Sequence, residues 1–168
     1  KYGLRGLNPA FGDKPIHLTP EYVKDITHIG GSILSSSRGP QDTSVMVDYL
    51  ENLKVNILFC VGGDGTMRAA EKLTAEITAR NATIAVIGIP KTIDNDLNLI
   101  EKSFGFDTAI EKTVQAVHSA HVEAKGAYNG IGLVKIMGRL SGYITATTAL
   151  AQGDANFVLI PEVPFDLD

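Results

Sequence analysis

Short apolar runs and helical stretches alternate along the chain. Five β-rich runs are candidate strands, at residues 32–34, 56–61, 83–89, 131–136 and 157–160. Apolar residues at helical spacing predict helices between these runs, over residues 20–29 and about 43–53, 66–80, 107–124 and 141–151. Strands that alternate with helices favour parallel pairing, with the helices packed on the faces of the sheet. The pattern therefore predicts an α/β fold.

Local signals support the boundaries of some of these helices. Thr19 supplies a hydroxyl N-cap, and Pro20 fits the first helical position that follows it. The Gly30-Gly31 pair is expected to end this first helix. Asp107 is the N-cap predicted for the fourth helix.

Composition limits the classes of protein to which the chain can belong. Its 168 residues are 44% apolar and 20% charged, which is ordinary for a soluble globular domain. A net charge of −4 without clustered Lys and Arg argues against a nucleic-acid partner. No apolar run approaches the roughly 20 residues that span a bilayer, so no membrane partner is expected. The single cysteine, Cys60, cannot form an internal disulfide, which favours a reducing, intracellular setting.

A glycine-rich segment, Gly62-Gly63-Asp64-Gly65-Thr66, directly follows the second candidate strand. Glycines at a strand-to-helix turn let a ligand approach the backbone, and the N–H groups at a helix start attract phosphate. Asp64 can hold Mg²⁺ bridging phosphate oxygens, and Thr66 adds a hydroxyl donor. The alternative is a tight turn in which Asp64 caps the next helix. The segment lacks the Gly-Lys-Ser/Thr ending of a Walker loop.

A second polar segment, Pro90 to Asp96, follows the next candidate strand. Asp94 and Asp96 flank Asn95, so that one carboxylate can act as a general base while the other holds metal or orients its partner. The alternative is a turn in which these side chains bond their own backbone. Because neighbouring parallel strands share a crevice at their carboxyl ends, both loops are expected to face one pocket. Together they favour phosphoryl transfer.

Cationic residues after strand ends are the next candidates. Lys91 and Arg139 both follow predicted strands and are expected to point at the same crevice, where cations stabilise a moving phosphoryl group. Arg38 lies in a Ser/Gly/Pro loop, where an arginine is usually only solvated. The four histidines show no metal-ligand spacing and receive no role.

These residues together resemble the phosphofructokinase family, whose members phosphorylate fructose 6-phosphate at its 1-hydroxyl. The glycine-aspartate loop alone also fits NAD kinases and diacylglycerol kinases. The segments that narrow the resemblance are residues 30–38, Lys91-Thr92-Ile93-Asp94-Asn95-Asp96, Met137-Gly138-Arg139 and Pro161-Glu162-Val163. The resemblance covers essentially the whole chain and implies phosphofructokinase-like, Rossmann-like parallel sheets flanked by helices.

The resemblance implies a role for each matching residue. Asp94 matches the general base, Asp64 the Mg²⁺ ligand, and Thr92 and Asp96 the neighbours of the reacting groups. The catalytic set is completed by Arg38, Lys91 and Arg139, which offset charge on the moving phosphoryl group. The implied donor-phosphate contacts are Arg38, Gly39, Gly63, Asp64, Gly65 and Thr66. The implied sugar-phosphate contacts are Lys91, Thr92, Ile93, Asp94, Met137, Gly138, Arg139 and Glu162.

Two positions bear on the choice of phosphoryl donor. Pyrophosphate-using members of the family resemble one another in having Asp where this chain has Gly65, so Gly65 leaves room for the inner phosphate of ATP. Lys91, however, is typical of pyrophosphate users. The combination resembles the ATP-dependent enzymes of plants and protists, within the pyrophosphate-like branch. ATP is the predicted donor, and pyrophosphate is the alternative.

The resemblance also predicts how the chain is organised. Residues 1–105 are expected to form part of the donor domain, and residues 106–168 the first part of the sugar-phosphate domain. The ends of the sequence suggest a piece of a longer protein, which by itself should have little or no activity. The full-length protein is expected to be an allosteric, cytoplasmic homo-oligomer, a dimer or tetramer; a glycolytic organelle is the alternative location. A non-catalytic regulatory subunit of the same fold is the alternative function.

Overall fold

The computed structural model describes residues 1–166 and contains five α-helices and two β-strands. The helices are α1 (Pro20–Val23), α2 (Thr43–Asn52), α3 (Asp64–Ala79), α4 (Phe106–Gly126) and α5 (Tyr143–Gln152). The strands are β1 (Ile57–Gly62) and β2 (Ala85–Pro90). Short 3-10 helices lie at Gly3–Leu7, Pro9–Phe11 and Ile26–His28. No helix of this part of the chain combines the length and apolar character needed to cross a membrane.

The two strands pair with each other in parallel. The Ala85 amide donates to the Asn56 carbonyl at 2.8 Å, and the Lys91 amide donates to the Gly62 carbonyl at 2.8 Å. Both sequences therefore advance in the same direction along the ladder, which is the geometry of parallel strands. Helix α3 connects β1 to β2, so the chain forms a β-α-β unit. The predicted α/β fold is confirmed.

The chain divides into two compact units. The first unit comprises residues 1–60 and 68–87, and the second comprises residues 61–67 together with the chain from Gly88 onward. Both strands begin in the first unit and end in the second. The carboxyl ends of the strands and the loops that follow them thus belong to the second unit. The predicted division into functional domains at residues 105 and 106 stays a prediction.

The core of the first unit lies between α2 and α3. Met46 and Val47 of α2 pack with Leu73 and Ile77 of α3, and the partly buried Leu4, Leu7, Leu58, Ala82, Ile84 and Val86 pack against this cluster. Asp42 caps α2 by accepting from the Val45 amide at 3.1 Å. Apolar residues on facing stripes of two helices therefore hold this unit together.

Polar groups reinforce the same helix pair. Arg80, just after α3, donates to Glu76 at 2.8 Å and to Asp48 and Ser44 of α2. These hydrogen bonds raise the pKa of the guanidinium above its ordinary value, so Arg80 stays charged. Cys60 is buried at the strand end as predicted, and burial raises the pKa of its thiol. The thiol therefore stays protonated at neutral pH.

Helices α4 and α5 pack together in the second unit. Ile144 and Thr148 are buried on α5, and Phe106 is buried at the start of α4. Among the described residues, the Thr148 hydroxyl has no hydrogen-bond partner. Thr74, Thr78 and Thr113 do donate to the carbonyl four residues earlier, as Thr113 does to Ala109 at 2.6 Å. The Thr148 hydroxyl is therefore a buried, unsatisfied polar group.

Replacing Thr148 by valine is expected to stabilise the protein. Valine has the same shape but no hydroxyl to desolvate, and the expected gain in the free energy of unfolding is about 1 kcal/mol. Thr148→Ser is the matched control: it keeps the hydroxyl, loses a buried methyl and should destabilise by about 1 kcal/mol. Hydrogen exchange of the α5 amides in the full-length protein measures both effects. A valine variant that exchanges faster than the wild type would show that the hydroxyl is bonded.

Three of the five predicted strands are wrong. Residues 32–34, 131–136 and 157–160 form no strand, and β1 and β2 are the only strands within residues 1–166. A strand requires a neighbour to pair with, and the described residues supply none for these segments. Ile131, Leu133 and Phe157 are accordingly 91%, 90% and 88% exposed.

Some details of the correctly predicted elements also differ. Thr19 caps α1 by accepting from the Tyr22 amide at 3.2 Å, but the helix ends at Val23 instead of reaching Gly30. Helix α4 is preceded by Gly105 as its N-cap, and Asp107 instead pairs with Lys102 at 3.2 Å. Strand β1 is not buried on both sides. Its exposed side chains alternate along the strand and are Ile57, Phe59 and Val61.

Candidate functional site

The two loops that follow the strands lie side by side in the second unit. The bond from the Lys91 amide to the Gly62 carbonyl joins the strand ends from which the loops leave. A Cβ placed on Gly63 would lie 3.4 Å from the Cβ of Thr92, which is ordinary van der Waals contact. The two loops are therefore neighbours, as expected for adjacent parallel strands, and the pocket that they were expected to share stays a prediction.

The first loop is a tight turn from β1 into α3. Helix α3 begins at Asp64, which is half-buried, and the Gly63 carbonyl accepts from the Thr66 and Met67 amides at 2.9 and 3.0 Å. A Cβ on Gly62 would overlap the Thr66 side chain, so this position needs glycine for close approach. Gly65 is exposed, and a Cβ there would meet no atom within 4 Å. The helix start is therefore open to a ligand at Gly65.

Asp94 is the buried member of the second loop. It is 8% exposed, whereas Lys91 and Asp96 are exposed. The Asp94 amide donates to Thr92 Oγ1 at 3.1 Å, and the Asp94 carbonyl accepts from Ser141 Oγ at 2.9 Å. No hydrogen bond or ion pair within residues 1–166 reaches the Asp94 carboxylate. Its backbone is held by neighbours, while its carboxylate is left available for chemistry.

Of the three side chains in the turn alternative, that of Asn95 bonds the backbone. Its φ of 53° lies in the left-handed region, which Asn adopts more readily than most residues. Its side chain bonds the backbone of residues 101 and 103, so Asn95 shapes the loop. The segment is thus a side-chain-stabilised turn built by Asn95, and Asp94 is carried on it.

A third segment, Met137 to Gly142, lies beside the Asp94 loop through Ser141. Gly138 has a φ of 143° and Arg139 one of 57°, so the turn uses two successive residues with positive φ. The Ser141 amide donates to the Gly138 carbonyl at 2.9 Å, and a Cβ on Gly138 would overlap the Ser141 carbonyl. Only glycine fits at this position, because both the conformation and the space exclude a side chain.

A shallow cleft of about 190 Å³ opens beside this turn. Met137, Gly138, Arg139 and Ser141 line it from one side, and Pro161 contributes from the other. Glu162 lies at the start of α5, where its Oε1 accepts from the Gly142 amide at 2.7 Å. A carboxylate at a helix N-terminus is favourably placed toward the helix dipole. Glu162 is therefore oriented by α5.

The second unit thus contains most of the predicted site residues. These are Gly63, Asp64, Gly65, Thr66, Lys91, Thr92, Ile93, Asp94, Asp96, Met137, Gly138, Arg139 and Glu162. Arg38 and Gly39 belong to the first unit, where both are exposed. The catalytic and binding roles of all these residues stay predictions.

Two residues of this region received no role from the sequence. Ser103 is 3% exposed and bonds both Asn95 and Thr92, and Ser141 bonds the Asp94 carbonyl. Neither serine lies in a helix or strand that would have indicated its partner. A buried serine beside a loop is visible only once the tertiary contacts are known.

Comparisons with known proteins bear on the class of the chain. A family model described as Phosphofructokinase matches residues 1–168. The ATP-dependent 6-phosphofructokinase of Borreliella burgdorferi is 52% identical over 168 residues, which are 100% of this chain and 38% of that protein. The ATP-dependent 6-phosphofructokinase of Trypanosoma cruzi is 51% identical over 168 residues, 100% of this chain and 35% of that protein.

Solved structures show the same fold. The crystal structure of Pichia pastoris phosphofructokinase in the T-state matches with a TM-score of 0.85 at 24% identity, covering 99% of this chain and 18% of that one. A pyrophosphate-dependent phosphofructokinase from Marinobacter aquaeolei matches with a TM-score of 0.70 at 23% identity, covering 88% of this chain and 40% of that one.

The parallel strands make this an α/β protein, and its two loops lie at the carboxyl ends of the strands, where α/β proteins bind their ligands. The chain belongs to the phosphofructokinase family. It spans about a third of the length of the curated relatives that it matches.

Proposed function

We propose that the full-length protein is an ATP-dependent 6-phosphofructokinase. It transfers the terminal phosphoryl group of ATP to the 1-hydroxyl of fructose 6-phosphate, which gives fructose 1,6-bisphosphate in glycolysis. The observation that carries this proposal is the glycine-aspartate loop lying directly beside a loop that holds Asp94, a buried residue whose carboxylate has no partner within residues 1–166. Relatives named ATP-dependent 6-phosphofructokinase, at 46–52% identity, support it.

Asp94 is the general base of this proposal. The carboxylate takes the proton of the 1-hydroxyl, the hydroxyl oxygen bonds to the terminal phosphorus, and the bond from that phosphorus to the ADP oxygen breaks. A base must lie within hydrogen-bond reach of the hydroxyl and have an oxygen free to accept. The backbone bonds of Asp94 to Thr92 and Ser141 supply the fixed position, and the unpaired carboxylate supplies the acceptor.

Asp64 is the proposed Mg²⁺ ligand. No group of three or more His, Cys, Asp or Glu that could hold a metal occurs in the described residues. The single carboxylate of Asp64 fits Mg²⁺, which is usually bound by one or two carboxylates together with waters and substrate phosphates. Gly65 leaves open space next to Asp64 for those phosphates. When bound, the ion would neutralise charge on the phosphate oxygens.

Cationic side chains complete the proposed phosphoryl-transfer site. Lys91 and Arg139 are exposed at the end of β2 and in the Met137–Arg139 turn, where they can approach phosphate oxygens. Positive charge aimed at the transferring group lowers the barrier of phosphoryl transfer. The donor-phosphate contacts of Arg38 and Gly39 are proposed from family membership alone.

The cleft beside Met137, Gly138 and Arg139 is the proposed sugar-phosphate subsite. Glu162, whose Oε1 accepts from the Gly142 amide at the start of α5, is proposed to accept hydrogen bonds from sugar hydroxyls with its other oxygen. Thr92 and Ile93 belong to the loop that carries Asp94, and Ser141 ties this loop to the lining of the cleft. The 1-hydroxyl of the sugar and the Asp94 carboxylate are therefore proposed to meet where the Asp94 loop borders the cleft.

ATP is the proposed donor because Gly65 leaves the helix start open. An Asp at this position would place negative charge where the inner phosphate of a nucleotide lies. Lys91 keeps pyrophosphate as the second candidate. Cytoplasmic location, allosteric control and a homo-oligomeric state are proposed from family membership alone.

Parallel assays on the full-length protein test the proposal. Fructose 1,6-bisphosphate is expected to form with ATP and Mg²⁺. With pyrophosphate the rate should be lower by at least about tenfold, which corresponds to about 1.4 kcal/mol of preference for ATP. Faster turnover with pyrophosphate would reassign the donor. Fructose 6-phosphate binding without turnover with either donor would favour a regulatory subunit. The intact Asp64 and Asp94 support catalysis, because a regulatory copy does not need either carboxylate.

A further inference from the structure

We propose that Ser103 is a positioning residue for Asp94, acting through Asn95 and Thr92. The inference rests on the proposed function, in which Asp94 is the base. Ser103 lies eight residues beyond Asn95 and is 3% exposed, so its polar groups bond within the protein. It contacts the residues on both sides of the Ile93-Asp94 pair.

The orientation of the Asn95 side chain follows from its partners. The Ser103 amide can only donate, and its partner at 2.8 Å is therefore Asn95 Oδ1. The Glu101 carbonyl can only accept, and its partner at 3.2 Å is therefore Asn95 Nδ2. Each end of the Asn95 amide group has a partner, and the segment from residue 101 to residue 103 holds Asn95 in its left-handed conformation.

The Ser103 hydroxyl fixes the other side of Asp94. Ser103 Oγ lies 2.7 Å from the Thr92 carbonyl and 3.0 Å from Asn95 Oδ1. A serine hydroxyl has one proton to donate, and both of these oxygens are acceptors. Because Asn95 Oδ1 already receives the Ser103 amide, the shorter contact assigns the hydroxyl proton to the Thr92 carbonyl. One buried serine thus holds both ends of the segment from Thr92 to Asn95.

The position of the Asp94 carboxylate depends on this arrangement. No hydrogen bond within residues 1–166 reaches the carboxylate, so its position follows from the backbone of residue 94 and the packing around it. Without the Ser103 hydroxyl, Thr92 loses its anchor and Thr92 Oγ1 holds the Asp94 amide less firmly. A small displacement of a base weakens proton transfer in the transition state, while ground-state substrate binding is largely kept.

Ser103→Ala in the full-length enzyme tests the inference. A displacement of about 1 Å of a catalytic group can lower the rate about 10²-fold. The displacement of Asp94 is expected to be smaller, so kcat should fall about 10-fold. The KM values for fructose 6-phosphate and ATP are expected to change less than about twofold, since the lost interaction acts in the transition state. Ser103→Thr keeps the hydroxyl and is expected to recover most of kcat. Ser119→Ala is the control, because Ser119 is exposed on α4 and bonds only the Gln115 carbonyl at 2.9 Å.

A second pair of measurements keeps the inference falsifiable if threonine does not fit. Asn95→Gly removes the side-chain bonds but tolerates the positive φ, and it should also lower kcat at nearly constant KM. Ser103→Ala removes the hydroxyl bond to the Thr92 carbonyl, and Asn95→Gly removes the side-chain bonds to residues 101 and 103. Both changes act on kcat through the position of Asp94, so the double variant should lose less than the product of the two single losses. Hydrogen exchange of residues 92–96 should be faster in Ser103→Ala.

The outcomes separate the inference from the proposed function. Unchanged kcat in Ser103→Ala, or multiplicative losses in the double variant, would overturn the positioning role while the function stands. A fall in kcat accompanied by an equal rise in KM would show a general structural role and would also overturn it. A wild-type protein that transfers no phosphoryl group would overturn the proposed function, and the inference with it.

Discussion

Replacing Asp94 by serine in the full-length protein is expected to lower kcat by about 100-fold or more, because positioned general bases contribute about 10²–10⁴-fold. The KM values should change little, since a base acts on the proton in transit and contributes little to ground-state binding. The reason for so large an effect is local. Asp94 is a buried residue whose backbone is bonded to Thr92 and Ser141, and no hydrogen bond or ion pair within residues 1–166 reaches its carboxylate. Serine has no carboxylate to take the proton, so the variant loses the proposed base. Steady-state kinetics with ATP and fructose 6-phosphate measure the change.

Asp107→Ser is the matched control for this experiment. Asp107 is also an aspartate of the second unit, but it is exposed and pairs with Lys102 at 3.2 Å in the first turn of α4. Its replacement is expected to leave kcat within about twofold, because an exposed ion pair contributes about 1 kcal/mol or less to stability. Near-normal turnover in Asp94→Ser would exclude Asp94 as the base.

The second large effect is expected from Gly65→Asp, which should reduce the use of ATP far more than the use of pyrophosphate. Nothing lies within 4 Å of a Cβ at Gly65, so the fold accommodates the new side chain. The loss therefore comes from negative charge beside the inner phosphate of the nucleotide. Juxtaposed like charges cost several kcal/mol, which corresponds to a fall of about 100-fold or more in kcat/KM for ATP.

Gly30→Asp controls for the introduced charge. A Cβ at Gly30 also meets no atom within 4 Å, and this glycine does not need a positive φ. The variant carries the same extra aspartate at a position that belongs to neither loop, and its ratio of ATP to pyrophosphate activity should equal that of the wild type. If ATP activity survives the change at Gly65 undiminished, the argument for ATP from this position fails.

The helices were predictable because their signals are local. Apolar spacing and the Thr19 cap need only neighbouring residues, and α2, α3 and α5 begin within about two residues of their predicted starts. Strands depend on partners elsewhere in the chain. The apolar runs at residues 131–136 and 157–160 have the composition of strands, yet they stay unpaired in the part of the chain that the structure describes.

The candidate site shows the same difference between local signals, which the sequence contains, and contacts between distant residues, which it does not. That two loops after parallel strands lie together follows from topology, and the bond from Lys91 to Gly62 confirms it. The bonds that hold Asp94 could not be predicted, because Ser103 and Ser141 are separated in sequence from their partners by 8 to 47 residues. The packing that buries each serine exists only in three dimensions, so a serine in the sequence does not indicate whether it will be solvated.

The hydrogen bonds between Asn95 and Ser103 close the loop that runs from residue 95 to residue 103. Leu99 lies within this loop and is fully exposed, with a φ of 64°. Because this loop is held together at its two ends, a substitution at Leu99 need not displace Asp94. Leu99 is therefore a suitable attachment point for a fluorescent label that reports on ligand binding next to the site without altering the chemistry.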